Sequence, residues 1–435
     1  MAKDAIGFAL SALNRLAGSS MLDRLGMRHT AERLAYRLTK GGFQVITTSA
    51  RAFKSNNPSD KPQRLDAPGH TTGLFDLGIT DEQQMIRDSV RAFAAEVLRE
   101  HAEQSDAEQR TSDDVQSQAR ELGLNFFAVP EALGGAAAER STVTSMLVAE
   151  ELARGDMGQA VAVLAPMGVA NALTRWGSAV QQDKYLSTFA GEDAPLATIA
   201  VCEPRPLFDP MTLRTTATRD GDDWLLSGEK SLVPLAAEAE LFLVAAETGD
   251  GPAVFIVEGG SEGLSAGDDP AMGIRASGQR PLLLDKVRVP DANRLGDDDF
   301  NYREFIDLGT LAWCALAIGT AQAVLDYVVP YCNERKAFGE PISHRQAVAF
   351  MIADIAIELD AMRMLTYRAV CRAEQGKPFQ RETHLARTLV KDKAMQIGTD
   401  GVQLLGGHGF THEYPVERWY RDLRAIGVVF GGLHL

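Results

Sequence analysis

Residues 400–422 read DGVQLLGGHGFTHEYPVERWYRD, and residues 424–435, RAIGVVFGGLHL, close the chain as an apolar stretch. The first segment crowds glycine, histidine, glutamate, arginine and aromatic side chains together in the manner of a ligand site, while the second supplies no carboxylate. Working outward, the run 384–407, HLARTLVKDKAMQIGTDGVQLLGG, carries a helical apolar period that stops at paired glycines. The same period fills TLAWCALAIGTAQAVLDYVVPYCNERKAF (310–338) and HRQAVAFMIADIAIELDAMRMLTYRAV (344–370). Apolar faces this wide suit helices packed on several sides, so residues 300–435 are predicted to form a four-helix bundle domain that also suits oligomer formation.

Upstream the texture changes. LRTTATRDGDDWLLSGEKSLVP (213–234), AELFLVAAET (239–248), PAVFIVEG (252–259) and LLLDKVRVP (282–290) are short β-branched or alternating runs divided by Gly, Asp and Pro, which predicts a middle antiparallel β domain over 195–299. Residues 74–194 return to helical texture. In TDEQQMIRDSVRAFAAEVL (80–98), Thr80 or Asp81 can cap a helix whose apolar face is Met85, Val90, Phe93 and Val97. STVTSMLVAEELARGD (141–156) and QQDKYLSTFAGED (181–193) continue an all-α domain. Residues 1–73 form a basic N-terminal extension and linker. Ile6, Leu10, Leu13 and Leu16 recur there at helical spacing, and the excess of Lys and Arg through residue 64 suits an anionic membrane surface or an acidic neighbour.

The bulk composition excludes several classes. A net charge of −15 disfavours nucleic acid as a partner. Cys202, Cys314, Cys332 and Cys371 are scattered, with no metal-ligand spacing, so they are expected to be packing residues in a reducing setting, cytoplasmic or peripheral at a membrane. No uninterrupted apolar run of about 18 residues predicts a membrane span.

The order α, β, α, together with TDEQQMIRDSVRAFA (80–94), MGIRASG (272–278), ERKAFGEPISHRQAV (334–348) and the 400–422 segment, resembles the acyl-CoA dehydrogenase family of flavoenzymes. The resemblance runs from about Leu74 nearly to the C-terminal end. It implies an α+β fold of helical domain, middle β domain and four-helix bundle. It also implies bound FAD, α,β-dehydrogenation of an acyl-CoA thioester, a place in fatty-acid metabolism, an acceptor such as electron-transfer flavoprotein, and a homo- or hetero-oligomer. FAD brings a pyrophosphate that favours positive charge and backbone donors, and an adenine that favours amide-type hydrogen bonds. Arg335 and Gln346 are implied to meet a cofactor held partly by a neighbouring subunit, with Phe338 and Gly339 at the turn between them. Gln403 and the backbone of Gly406, Gly407 and Gly409 are implied to meet it from another side, glycine allowing close approach.

Other positions depart from the family pattern. A TEPGAGSD-like strand end and a WIT or WIS segment usually face the flavin; here the text is CEPRPLFDP (202–210) and KSLVPLA (230–236). Glu203, Pro204 and Asp209 match, but Cys202 replaces a hydroxyl, and Leu232 and Pro234 replace an aromatic residue and a hydroxyl, which a proline cannot mimic as a donor. The usual base is a Glu a few residues after RD. Counting from Arg421 and Asp422 places Phe430 there, followed by Gly431. Other members carry the Glu early in the helix that contains QAVLDY (322–327), which corresponds to Gly309, with Thr310 in place of a common Arg. Neither residue accepts a proton, although the Phe430 N–H remains a possible oxyanion donor. Asp307, Glu413 and Glu417 are the substitute carboxylates. Three readings stay open: a dehydrogenase using another base, an incomplete subunit acting beside a partner, and a flavin monooxygenase on the same scaffold.

Overall fold

Residues 78–135, 141–191, 194–268, 271–296 and 299–435 are described by the computed structural model, all within the unit Phe75–Leu435. The expectations for residues 1–73, the membrane-facing arm included, lie outside the described residues.

Helix α1 (Asp81–Phe93) begins with a reciprocal cap: the Thr80 hydroxyl accepts the Gln83 N–H at 3.1 Å, and the Gln83 side chain accepts the Thr80 N–H at 3.0 Å. It runs through one π-turn, Ala94–Leu98, into α2 (Arg99–Glu108). Met85, expected on the inner face, is 64% exposed; Ile86 takes that place beside Val90, Phe93 and Val97. Positions 86, 90, 93 and 97 keep the 3.6-residue period, which 85 does not share as well. Then come α3 (Asp113–Glu121), α4 (Thr142–Gly155) and α5 (Met157–Trp176), the last opened by Asp156, whose carboxylate accepts the Gln159 N–H at 2.9 Å.

Strands β1 (Ala197–Ala200), β2 (Thr216–Asp220), β3 (Asp223–Val233), β4 (Leu241–Glu247), β5 (Pro252–Glu258), β6 (Leu264–Ala266) and β7 (Arg280–Pro290) make one sheet, ordered β1-β4-β2-β3-β7-β6 with β5 on β4. Antiparallel pairs dominate, but β1 runs parallel to β4, with Ala197 opposite Leu241. Every residue of β1 is buried, so its sequence lacks the alternation that marks a strand wet on one face.

The last third holds α6 (Tyr302–Glu334), a small hairpin of β8 (Lys336–Ala337) and β9 (Glu340–Pro341), α7 (Gln346–Glu374), α8 (Gln380–Leu405) and α9 (Val416–Ala425). The fourth helix of the bundle is thus only 10 residues long, and α4 packs along α6 as well. Helices α5 and α6 are apolar and long enough to cross a membrane, yet their most apolar windows are 94% and 89% buried, which makes them core helices.

Polar and charged side chains pin α9 to the other elements. Arg421 grips Asp106 with bonds of 2.9 and 2.8 Å, Arg418 lies 3.2 Å from Asp156, and Asp422 accepts the Ile274 N–H at 2.6 Å. Burial first, and the Asp156 carboxylate second, push Asp422 up to about 8. Beyond α9 the chain threads between β1, α5 and α6. Gly432 N–H donates to Ile199 at 2.7 Å, Trp313 Nε1–H donates to the Gly431 carbonyl at 2.7 Å, and Asn171 donates to the His434 carbonyl at 3.2 Å. All residues from Gly431 to Leu435 are buried.

Candidate active site

Phe430 sits where this stretch leaves α9 and meets the end of β1. Its N–H donates to Cys202 Sγ at 2.9 Å, and the thiol lies 3.1 Å from the Phe430 carbonyl. Burial pushes that thiol up to about 12, so it stays protonated and able to donate. The Phe430 N–H, expected as an oxyanion donor, is therefore already engaged: sulfur stands where the family has a hydroxyl, and it accepts the bond itself.

Under Cys202, Glu203 and Lys230 form a buried ion pair at 3.0 Å. Glu203 also accepts the N–H groups of Arg214 and Thr215, each at 2.8 Å. Burial pushes Lys230 down to about 8, against the pull of Glu203. The pair anchors the 202–204 corner from below.

The Phe430 ring borders two cavities of about 670 and 660 Å³. Cys202, Arg205, Phe208, Leu232 and Lys391 line the first; Arg303, Asp307, Thr310, Gln380 and Arg381 line the second. His384, Arg387 and Phe430 belong to both. The aromatic and cationic groups alternate. Arg205 lies 5.2 Å from the centre of the Phe208 ring, Phe208 meets Phe430 edge-on at 5.9 Å, and Arg387 lies 4.8 Å from the centre of the Phe430 ring. Arg387 Nη2 donates to the Val429 carbonyl at 2.9 Å, whereas its buried Nη1 has no partner among the described residues.

Of the substitute carboxylates, only Asp307 reaches either cavity. Burial pushes it up to about 6, with Arg303 opposing. Glu417 is held by Arg421 at 2.8 Å and His412 at 3.0 Å, and Glu413 is exposed elsewhere. Gly309 lies on the face of α6 turned toward the tail, where a Cβ would stand 2.9 Å from the Leu433 carbonyl.

The implied cofactor residues gather at the opposite end of α8. Arg335 caps α6, Phe338 is 96% exposed on the hairpin, Gln346 opens α7, and Gln403 is exposed in the last turns of α8. The Tyr331 hydroxyl and His408 Nδ1, 2.8 Å apart, tie the end of α6 to the Gly406 turn. Gly406 (φ 58°) and Gly407 face open space where a Cβ would be, a cradle accessible to a ligand; Gly409 is packed, its Cβ position 2.3 Å from the Val402 carbonyl. The 16 residues separating Arg387 from Gln403 span roughly 24 Å of helix. One chain therefore presents two separate ends, not one continuous pocket.

Sequence reasoning missed Arg387, Arg205 and Phe208. A signal for the first was present: Arg381, His384, Arg387 and Lys391 recur along one face of α8.

Helical domain, β domain and bundle in this order, with a cleft at their junction and an open glycine turn, define a three-domain flavin-dependent dehydrogenase architecture. The chain matches the acyl-CoA dehydrogenase N-terminal domain over residues 80–193, the middle domain over 198–287 and the C-terminal domain over 302–432. It is 33% identical over 362 residues to the probable acyl-CoA dehydrogenase YngJ of Bacillus subtilis, covering 80% of this chain and 94% of that protein. It is 32% identical over 367 residues to the short-chain specific mitochondrial acyl-CoA dehydrogenase of Rattus norvegicus, covering 81% and 87%. The structure of butyryl-CoA dehydrogenase from Megasphaera elsdenii superposes with a TM-score of 0.75 at 29% identity, covering 81% and 95%. The chain belongs to the acyl-CoA dehydrogenase family.

Proposed function

We propose that this chain dehydrogenates a CoA thioester at its α,β bond, with Asp307 as the proton acceptor. Family membership makes it an FAD-dependent oxidoreductase of acyl-CoA. The residues present fit that cofactor: the Gly406–Gly407 turn is open to a phosphate, and Arg335, Gln346 and Gln403 lie exposed around it. Bound FAD supplies the hydride acceptor. The observation that carries the base assignment is Asp307 itself, a buried carboxylate in the cavity that Phe430 borders, raised to about 6, which leaves it mostly ionised at pH 7 and close to the range that favours a general base. Neighbouring Thr310 spends its hydroxyl proton on the Ile306 carbonyl at 2.8 Å and offers no competing acid.

Anaerobic mixing with butanoyl-, octanoyl- and palmitoyl-CoA tests this. Flavin bleaching is expected in the wild type and should slow by about 10²-fold or more in Asp307→Asn. A flavin that stays oxidised with every thioester would instead support a subunit that binds without performing the chemistry. The edge-on Phe208–Phe430 pair, filling the place of a base, favours that second reading.

An oligomer follows from the same surfaces. Phe350, Ile357 and Met364, seven residues apart on α7, are 59%, 65% and 45% exposed, a stripe suited to a second subunit. Such a neighbour would bring an Arg335–Gln403 end to a flavin whose ring lies in another chain. Electron-transfer flavoprotein is the proposed acceptor.

A further inference from the structure

Among the described residues no carboxylate is paired with Arg387. Its guanidinium lies at the meeting of both cavities, over the Phe430 ring at 4.8 Å from the ring centre, with Nη2 committed to the Val429 carbonyl and Nη1 buried without a partner among the described residues. A half-buried guanidinium with one shielded, unspent nitrogen gains from an anion that joins it. A carboxylate at position 430 would supply one; phenylalanine does not, which leaves a place for an anion borne by a ligand. The wall of the second cavity points the same way. Arg303, Arg381 and His384 join Arg387 there, with Asp307 and Asp209 opposing them, and an apolar acyl chain would strip water from these groups and return nothing.

We infer that Arg387 recognises a carboxylate borne on the acyl group, so that the preferred ligands are carboxyacyl-CoA thioesters and not neutral acyl-CoAs of the same length. This rests on reading the cavity as a CoA-thioester site. The planar fork suits it: one nitrogen is fixed by Val429, and the other keeps its hydrogens unspent, so that a small rotation of the side chain presents them to a carboxylate oxygen. A CoA phosphate has the same chemistry and is the competing source of the anion.

Calorimetric titration of the full-length FAD-loaded protein with CoA, butanoyl-CoA and succinyl-CoA separates the two sources, the acyl groups being of equal length. The wild type should bind succinyl-CoA at least about tenfold more tightly than butanoyl-CoA, as one charge-assisted contact implies. Arg387→Met should abolish that preference while leaving butanoyl-CoA within about twofold of its wild-type affinity. Equal binding of the two thioesters by the wild type overturns the inference. So does an Arg387→Met variant that weakens CoA, butanoyl-CoA and succinyl-CoA alike, the result expected of a phosphate contact. Should Arg387→Met lose its cooperative thermal transition, Arg387→Lys decides, since it keeps the charge and a donor for Val429: an undiminished preference in that variant overturns the forked recognition. No step of this test reads flavin reduction, so failure of dehydrogenation leaves it standing, and failure of all three ligands to bind would overturn the thioester reading itself.

Discussion

The two ends of α8 contrast. Around Gln403, Gly406 and Gly407 the side chains keep the family pattern and stand open to solvent; around His384 and Arg387 the pattern is altered and the space is partly filled by the protein's own Phe208 and Phe430. The first end leaves open space at Gly406 and Gly407. The second is narrowed by the chain's own groups, a thiol, a buried ion pair and two cations over aromatic rings. The residues proposed for the cofactor and those proposed for proton chemistry thus stand at opposite ends of a single helix.

The sharpest way to break the contrast is to restore a carboxylate at the closed end. Placed on Asp307→Asn, Phe430→Glu is expected to raise acyl-CoA-dependent flavin reduction by about 10²-fold or more over Asp307→Asn alone, read by anaerobic stopped flow. The nearby Arg387 will pair with the new carboxylate and weaken it as a base, so the gain should be larger for the neutral butanoyl-CoA when Arg387→Met is added. A doubly substituted variant no faster than Asp307→Asn would show that position 430 cannot serve the chemistry. Glu203→Gln attacks the foundation of the same end. It leaves Lys230 buried without its counter-charge, and should destabilise the fold by about 3–5 kcal/mol in denaturant titration. A loss below about 1 kcal/mol would mean that the corner is not held by the pair.

At the open end, Arg335→Ala with Gln346→Ala should weaken FAD retention by about tenfold or more, measured as absorbance remaining after desalting, with thermal stability of the flavin-free protein unchanged. Unchanged retention would remove these residues from the cofactor site. A last test concerns the α9 anchor. Asp422 has a folded-state pKa above the ordinary carboxylate value, so its contribution is complete below about pH 4 and is lost as pH rises toward about 8. The melting temperature should therefore fall across that window, and Asp422→Asn should flatten the slope. Identical slopes would place the titration elsewhere.

What could be read from sequence followed from what each level requires. Helices with long one-sided periods, such as 384–407, and capped starts such as Thr80 were legible because local spacing alone sets them. The parallel pairing of β1 with β4 was not, since a strand buried on both faces carries no alternation to reveal its neighbour. Phe430 could be placed by counting from Arg421 and Asp422, and the structure sets it at the border of both cavities. The basic face Arg381, His384, Arg387 and Lys391 was legible, but not which of the four matters, because the surroundings of Arg387 depend on Val429 and Phe430, more than forty residues away and brought together only by the fold. Met85 was misjudged for a simpler reason: Met85 and Ile86 are both apolar, and only packing decides which of the two turns inward.

The contact between Gly309 and Leu433 bears on how this chain could change by inheritance. Glutamate can be reached from some glycine codons by a single base change, so position 309 is the short genetic road to a base, yet any side chain there meets a backbone carbonyl at 2.9 Å. Position 430 opens onto both cavities, but turning a phenylalanine codon into a glutamate codon replaces every one of its bases. The road that is genetically near is sterically shut, and the one that is sterically open is genetically remote, so reversion toward the family's usual base is obstructed by either route.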